Sequence, residues 1–283
     1  MTLLQVTRIG ELRAALDAER AIGRRVGFVP TMGYLHDGHL SLVDRARRSD
    51  DVVVASIFVN PMQFGPAEDI DAYPRDIDRD SELAAKAGVD LLFVPDAGEM
   101  YPEPPATSVA VPELAARLEG QSRPHHFAGV VTVVAKLLAI VGRCRAYFGE
   151  KDYQQLTIVR RMARDLSFPV EVVGCPTVRD VDGLALSSRN SYLDPQERAA
   201  APVVHRALQA GAALILSGER DAVVTRDLMG GIIDAEPLAE LDYVAVVDAD
   251  SLTVPEPLAG NLRLLAAVGF GRARLIDNVG VTV

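Results

Sequence analysis

The stretch Gly27-Phe28-Val29-Pro30-Thr31-Met32-Gly33-Tyr34-Leu35-His36-Asp37-Gly38-His39-Leu40 restricts the folds open to this chain more than any other. Residues 25–29 form a short apolar run closed by Pro30, which reads as a buried strand. Gly33 and Gly38 then loosen the backbone, and residues 41–48, with Leu42, Val43 and Ala46 facing inward, read as a helix. A strand, a glycine-containing loop and a helix in that order aim free N–H groups and a positive helix end at an anion. His36 and His39, three apart at the helix start, project over the same spot. The stretch predicts a phosphate site.

Other readings stand beside this one. Histidines there serve equally as surface or capping residues, and a pair of them also suits a metal. Zinc pairs on helices, however, usually sit four apart around a carboxylate base, and no third ligand is near in sequence. Four further polar loops offer binding chemistry. Asn60 and Gln63 follow an apolar strand at residues 51–58. Their neutral amides can hold a hydroxyl and a carboxylate without neutralising the carboxylate, although turn chemistry around Pro61 and Gly65 accounts for them as well. Arg123 and His126 precede an apolar helix at 130–141 and are placed to meet an anion; His125 is read as structural or solvent-facing.

Lys151 is one of three lysines in a chain with twenty-six arginines, so its presence asks why arginine would not serve. It follows a strand at 145–148 and opens a helix at 153–166. A compact ammonium there can neutralise a phosphate, Asp152 can take a ribose hydroxyl, and Gln155 a substrate oxygen. The rival reading is a helix start dressed with Glu150 and Asp152 for its dipole. Ser187, Ser188 and Arg189 can wrap a polyphosphate, or form an ordinary polar loop. Asp76, Asp78 and Asp80, at the start of a helix at 77–87 led into by residues 71–75, can approach a metal-bound triphosphate but read as a solvated charge run.

Strands and helices alternate over the first 175 or so residues, the pattern of an open parallel α/β sheet. Gly174-Cys175-Pro176 is the expected hinge between residues 1–176 and a smaller α+β unit at 177–283. That second unit is read as a helix from Gln196 to Leu216, a helix at 221–233, and short strands at 241–247, 263–268 and 273–276. Arg272 and Arg274 read as strand-face charges, and His205 is given no chemistry. Neither a P-loop nor a dinucleotide fingerprint is present. A net charge of −10 argues against a nucleic-acid surface. No basic-then-apolar leader and no bilayer-length apolar run is expected, and Cys144 and Cys175 read as buried free thiols, which together suggest a cytoplasmic protein with no membrane partner.

The His-x-Gly-His box resembles the HIGH motif of the nucleotidyltransferases and class I aminoacyl-tRNA synthetases. Its flanks, with Phe58-Val59-Asn60-Pro61-Met62-Gln63-Phe64 and Phe148-Gly149-Glu150-Lys151-Asp152-Tyr153-Gln154-Gln155, resemble the pantothenate synthetase family over essentially the whole chain. The resemblance implies a Rossmann-like domain at 1–176, and a C-terminal domain whose Ser187-Ser188-Arg189 segment is similar to the mobile KMSKS-like loop that closes over ATP. It implies ATP-dependent condensation of pantoate with β-alanine through pantoyl adenylate, giving pantothenate, AMP and pyrophosphate.

Under that resemblance, Met32, Gly33, Tyr34, Leu35, His36, Asp37, Gly38 and His39 face ATP. So do Gly149, Glu150, Lys151, Asp152, Val178 (by its backbone, at the adenine edge), Leu186, Ser187, Ser188 and Arg189. Asn60, Gln63, Arg123, His126 and Gln155 face pantoate or β-alanine, and His36, His39, Lys151 and Arg189 carry the chemistry. Mg²⁺ is implied on the ATP phosphates with unknown protein ligands, and a homodimer is implied by the family alone.

Overall fold

The computed structural model describes residues 3–65, 70 and 73–283. Asp71 and Ala72, read above as part of the lead-in to a helix, lie outside them. In chain order the elements are β1 (Leu4–Val6), α1 (Ile9–Ala21), β2 (Val26–Thr31), α2 (Asp37–Arg47), β3 (Val52–Ile57), α3 (Ile77–Ala87), β4 (Leu91–Phe93) and α4 (Ala97–Met100). There follow α5 (Pro112–Ala115), α6 (Glu119–Ser122), α7 (His126–Val141), β5 (Cys144–Gly149), α8 (Tyr153–Asp165) and β6 (Val170–Cys175). The chain closes with α9 (Pro195–Ala200), α10 (Val203–Leu216), α11 (Ala222–Asp234), β7 (Glu240–Asp248), β8 (Asn261–Phe270) and β9 (Ala273–Thr282).

Two compact units are present. One comprises Met1–Ala116, Gly120–Glu150 and Gln155–Pro176; the other comprises Arg117–Glu119, Lys151–Gln154 and Thr177–Val283. The first holds a six-stranded sheet in the order β1-β4-β3-β2-β5-β6, every pair parallel. Strand order reverses between β2 and β5, and ligands in open α/β sheets bind beyond the carboxyl ends of the strands at such a reversal. One face of the sheet is covered by α2 and α3 through Leu42, Val43, Ala46 and Ala84, packed with Val29, Val53, Ala55 and Leu92. The second unit is a three-stranded antiparallel sheet, β7-β8-β9, whose apolar face is covered by α10 and α11.

Several expectations need correction. The three-residue β1 is too short to announce itself by periodicity. The proline-containing stretch 95–105 holds α4, capped by Asp96, and α5 and α6 are separate short helices. The helix at 130–141 begins four residues earlier, at His126. The helix read through from Gln196 to Leu216 is interrupted at Ala201 and Pro202, where proline has no N–H to continue the ladder. The Pro195–Leu216 stretch does reach bilayer-spanning length and hydropathy, contrary to expectation. Its Ala200, Val204, Ala207, Leu208 and Ile215 are buried in the core of the second unit.

Helix α7 approaches the turn after β3 more closely than a side chain would allow. A Cβ on Gly129 would stand 2.1 Å from the Met62 carbonyl oxygen and 2.6 Å from the Gln63 Cα, both backbone atoms that cannot rotate away. Gly129→Ala therefore has to push the Pro61–Gln63 turn aside. We expect it to lower the unfolding free energy by about 1–3 kcal/mol, read as a lower denaturant midpoint; an unchanged midpoint would show the turn to be freely displaceable.

Candidate active site

The loop after β2 is held by its backbone and by one apolar side chain. Gly33 (φ 87°) and Tyr34 (φ 53°) both adopt the left-handed region, which turns the chain sharply before α2. A Cβ on Gly33 would lie 2.9 Å from Ile57 and 3.1 Å from the Asp80 carboxylate, so glycine is needed for space as well as for φ. The turn points the N–H groups of Tyr34 and Leu35 inward, where the Asp80 carboxylate accepts both, at 2.6 and 2.7 Å. The Leu35 side chain enters the core beside Leu42, Val43 and Ala84, and its burial is worth about 1.5–3 kcal/mol.

Asp80 thus corrects the reading of a solvated charge run. It is 1% exposed, whereas Asp76 caps α3 by accepting from the Arg79 N–H and Asp78 is exposed. Arg79 approaches the Asp80 carboxylate at 3.4 Å and lies over the Tyr34 ring, 5.3 Å from its centroid.

His36 caps α2, its Nδ1 accepting from the Gly38 N–H at 3.1 Å. An accepting Nδ1 carries no proton, so the neutral ring keeps its proton on Nε2 and is a donor there. The rings of His36 and His39 lie 4.1 Å apart between centroids, tilted by 41°. The box thus presents two imidazoles at the first turn of a helix, with Asp37 exposed beside them.

A second cluster in the same unit joins residues from three separated segments. Gln63 donates through Nε2 to the Met32 sulfur at 3.0 Å and receives Asn60 Nδ2 on Oε1 at 3.3 Å. His126, in the first turn of α7, has Nδ1 at 3.0 Å from the Gln63 carbonyl, and its own N–H donates to the Arg123 carbonyl. Met32, Asn60, Gln63 and His126 are therefore brought together, with Arg123 one turn away. Asn60 is 1% exposed, so among these it is the least able to reach a ligand directly. Gln155, on α8, and Gly149 and Glu150, at the end of β5, are partly exposed.

In the second unit Lys151 and Ser187 line one cavity with Asn190, His205 and Asp277. The Lys151 ammonium lies 3.6 Å from Asp152, and its carbonyl accepts from Asn278 Nδ2 at 2.9 Å. The Leu186 N–H donates to the Val178 carbonyl, closing the hairpin that leads to Ser187. Ser187 caps a short 3₁₀ segment, Ser188–Tyr192, and Arg189 is exposed on it. Arg179 grips Asp277 through both terminal nitrogens, at 2.6 and 2.8 Å. His205, at 3.7 Å from Asp277, is pushed below the ordinary histidine range, first by burial and then by the Arg179 charge. Arg274 is no plain strand-face charge, since it pairs with Glu119 at 2.6 Å and Asp242 at 2.5 Å.

The Asp80 carboxylate is the residue that sequence reasoning missed here, and its removal tests the loop. Asp80→Asn keeps one acceptor oxygen for two N–H groups. We expect a loss of about 1–3 kcal/mol in unfolding free energy, together with shifted His36 and His39 ring resonances by NMR. Unchanged ring resonances would uncouple the carboxylate from the histidine pair.

Comparison with known proteins gives a uniform result. The sequence profile of the Pantoate-beta-alanine ligase family matches residues 5–280. The pantothenate synthetase of Moorella thermoacetica is 55% identical over 283 residues, covering 100% of this chain and 99% of the relative. That of Geobacillus kaustophilus is 52% identical over 277 residues, covering 98% of this chain and 92% of its own. Among solved structures, the pantothenate synthetase of Thermus thermophilus superposes with a TM-score of 0.94 at 53% identity, over 99% of this chain and 100% of that one. The pantoate-beta-alanine ligase of Francisella tularensis, complexed with beta-gamma ATP and beta-alanine, gives a TM-score of 0.79 at 32% identity, over 98% and 97% of the two chains. With near-complete coverage by both sequence and fold, this chain belongs to the pantoate–β-alanine ligase family.

Proposed function

We propose that this chain condenses pantoate with β-alanine at the expense of ATP, through a pantoyl-adenylate intermediate. The observation that carries the reading is the joining of Met32, Asn60, Gln63 and His126 from three separated segments, in a member of a family whose Francisella tularensis representative was crystallised with beta-gamma ATP and beta-alanine. In the first step a pantoate carboxylate oxygen attacks the α-phosphorus of ATP, and the bond to the bridging oxygen of pyrophosphate breaks. Charge placement dominates such a step, because there is little covalent chemistry for the protein to do.

His36, donating from Nε2, and His39 stabilise the phosphoryl oxygens. Lys151, Ser187, Ser188 and Arg189 hold the departing pyrophosphate. Gly33, Tyr34, Leu35, Asp37 and Gly38 shape the nucleotide side, joined by Gly149, Glu150, Asp152, Val178 and Leu186. Gln63 and Gln155 orient pantoate through neutral amides, which leaves its carboxylate nucleophilic in a way an arginine clamp would not. Arg123 and His126 complete that side. In the second step the β-alanine amine attacks the activated carbonyl, AMP leaves, and the amine proton passes to solvent or a phosphate oxygen.

ATP brings Mg²⁺ in this reading. No group of three or more metal-ligating side chains occurs among the described residues. Residues 177–283 act as the lid over ATP, and the working form is a cytoplasmic homodimer.

Isotopic exchange of pyrophosphate into ATP tests the order of events. We expect exchange that requires pantoate and proceeds without β-alanine, slowed about 10²–10³-fold in His39→Ala, as for a lost oxyanion donor. Exchange that begins only when β-alanine is added would overturn the adenylate intermediate, and undiminished exchange in His39→Ala would remove that residue's role.

A further inference from the structure

Gln63 has an amide whose two ends offer opposite chemistry, and something must decide which end faces a ligand. The decision can be traced through Asn60. The Met62 N–H, which can only donate, points at Asn60 Oδ1 at 3.3 Å. The Gly129 carbonyl, which can only accept, lies 3.2 Å from Asn60 Nδ2. Two backbone groups of fixed polarity therefore set the Asn60 amide one way round. Its Nδ2 then donates to Gln63 Oε1, and Gln63 Nε2 gives one hydrogen to the Met32 sulfur at 3.0 Å and keeps its second.

A fourth group completes this arrangement from outside the loops already described. The Tyr101 hydroxyl donates to Asn60 Oδ1 at 2.9 Å, across forty-one residues of sequence. Burial pushes the Tyr101 phenol up to about 12, so it keeps the proton it donates throughout the neutral range. The ring is fixed in turn. Phe58 lies 6.0 Å from it, tilted by 55°, and the Lys136 ammonium lies 5.2 Å from its centroid while donating to the Met100 carbonyl. Lys136 sits inside the apolar helix α7, where an ammonium needs such partners.

We infer that Tyr101 is a positioning residue for the acid substrate: through Asn60 it steadies Gln63 with Oε1 engaged, so that the second Nε2 hydrogen donates to pantoate. The inference rests on the proposed role of Gln63 toward pantoate. Without the Tyr101 hydroxyl, Asn60 Oδ1 keeps only the 3.3 Å bond from Met62, so the two backbone contacts alone hold the amide and its grip on Gln63 Oε1 loosens. A turned Gln63 offers an oxygen to a carboxylate, which repels it.

The test is Tyr101→Phe, which removes one oxygen and keeps the ring, alone and combined with Gln63→Ala in the full-length enzyme. We expect the KM for pantoate to rise about tenfold in Tyr101→Phe, the weight of one hydrogen bond, with kcat and the KM for ATP within about twofold of wild type. In a Gln63→Ala background the same substitution should add nothing to the KM for pantoate, because the relay then has no end. A raised KM in Gln63→Ala beside an unchanged one in Tyr101→Phe overturns the relay and leaves the reading of Gln63 intact. Equal increments with and without Gln63 overturn the relay also, since Tyr101 would then act by another route. An unchanged KM in Gln63→Ala overturns the reading beneath it.

Discussion

One buried carboxylate governs how the first unit presents its chemistry. The turn at Gly33 and Tyr34 aims two N–H groups into the protein, and buried donors without acceptors cost about 1–3 kcal/mol each. Asp80 accepts both, one on each carboxylate oxygen, at 2.6 and 2.7 Å. With Leu35 seated in the core, the chain leaving the turn has little freedom in where it begins α2. His36 then caps that helix, and the cap fixes which of its nitrogens holds the proton. The path runs from a backbone conformation, through a carboxylate on a different helix, to a tautomer.

The same logic of a polar partner behind a candidate site residue recurs within each unit. In the first, the Met62 N–H and the Gly129 carbonyl orient Asn60, and Asn60 orients Gln63. In the second, Asp277 is clamped by Arg179, which also donates to the Gly183 and Asn278 carbonyls. Asn278 then donates to the Lys151 carbonyl while accepting from Arg263, and that guanidinium stacks 3.8 Å over the Tyr153 ring. The hairpin before Ser187 and the backbone of Lys151 are thus fastened to neighbouring residues of β9. Preorganised donors of this kind need no rearrangement when charge develops on a substrate, which is where catalysis by charge placement gains most.

Much of this was legible in the sequence, and the omissions have physical causes. The parallel sheet, β2 with its glycine turn, and the loops at 58–65 and 148–155 are contiguous segments, so periodicity and local chemistry expose them. Asp80 reads as part of a solvated charge run because three acidic residues stand at alternate positions in one short stretch. The signal was present nonetheless: Asp80, Leu83, Ala84 and Ala87 are spaced as one helical face, with Asp78 on the opposite side and Asp76 a turn earlier, where it caps the helix. Tyr101 and Arg274 were hidden for a different reason. Their partners are forty or more residues away in Tyr101 and well over a hundred in the Arg274–Glu119 pair, and nothing local marks either residue. The break before α10 was readable from Pro202 and was overridden by the long apolar pattern around it.

The most direct test of this account is amide hydrogen exchange at Tyr34 and Leu35, residues in a loop that would ordinarily exchange fast. If Asp80 holds both N–H groups, they should exchange as slowly as the strand amides of β2, and both should lose that protection together when Asp80 is replaced by alanine. Exchange at the rate of exposed loops in the intact protein would contradict the claim that this carboxylate fixes the histidine box.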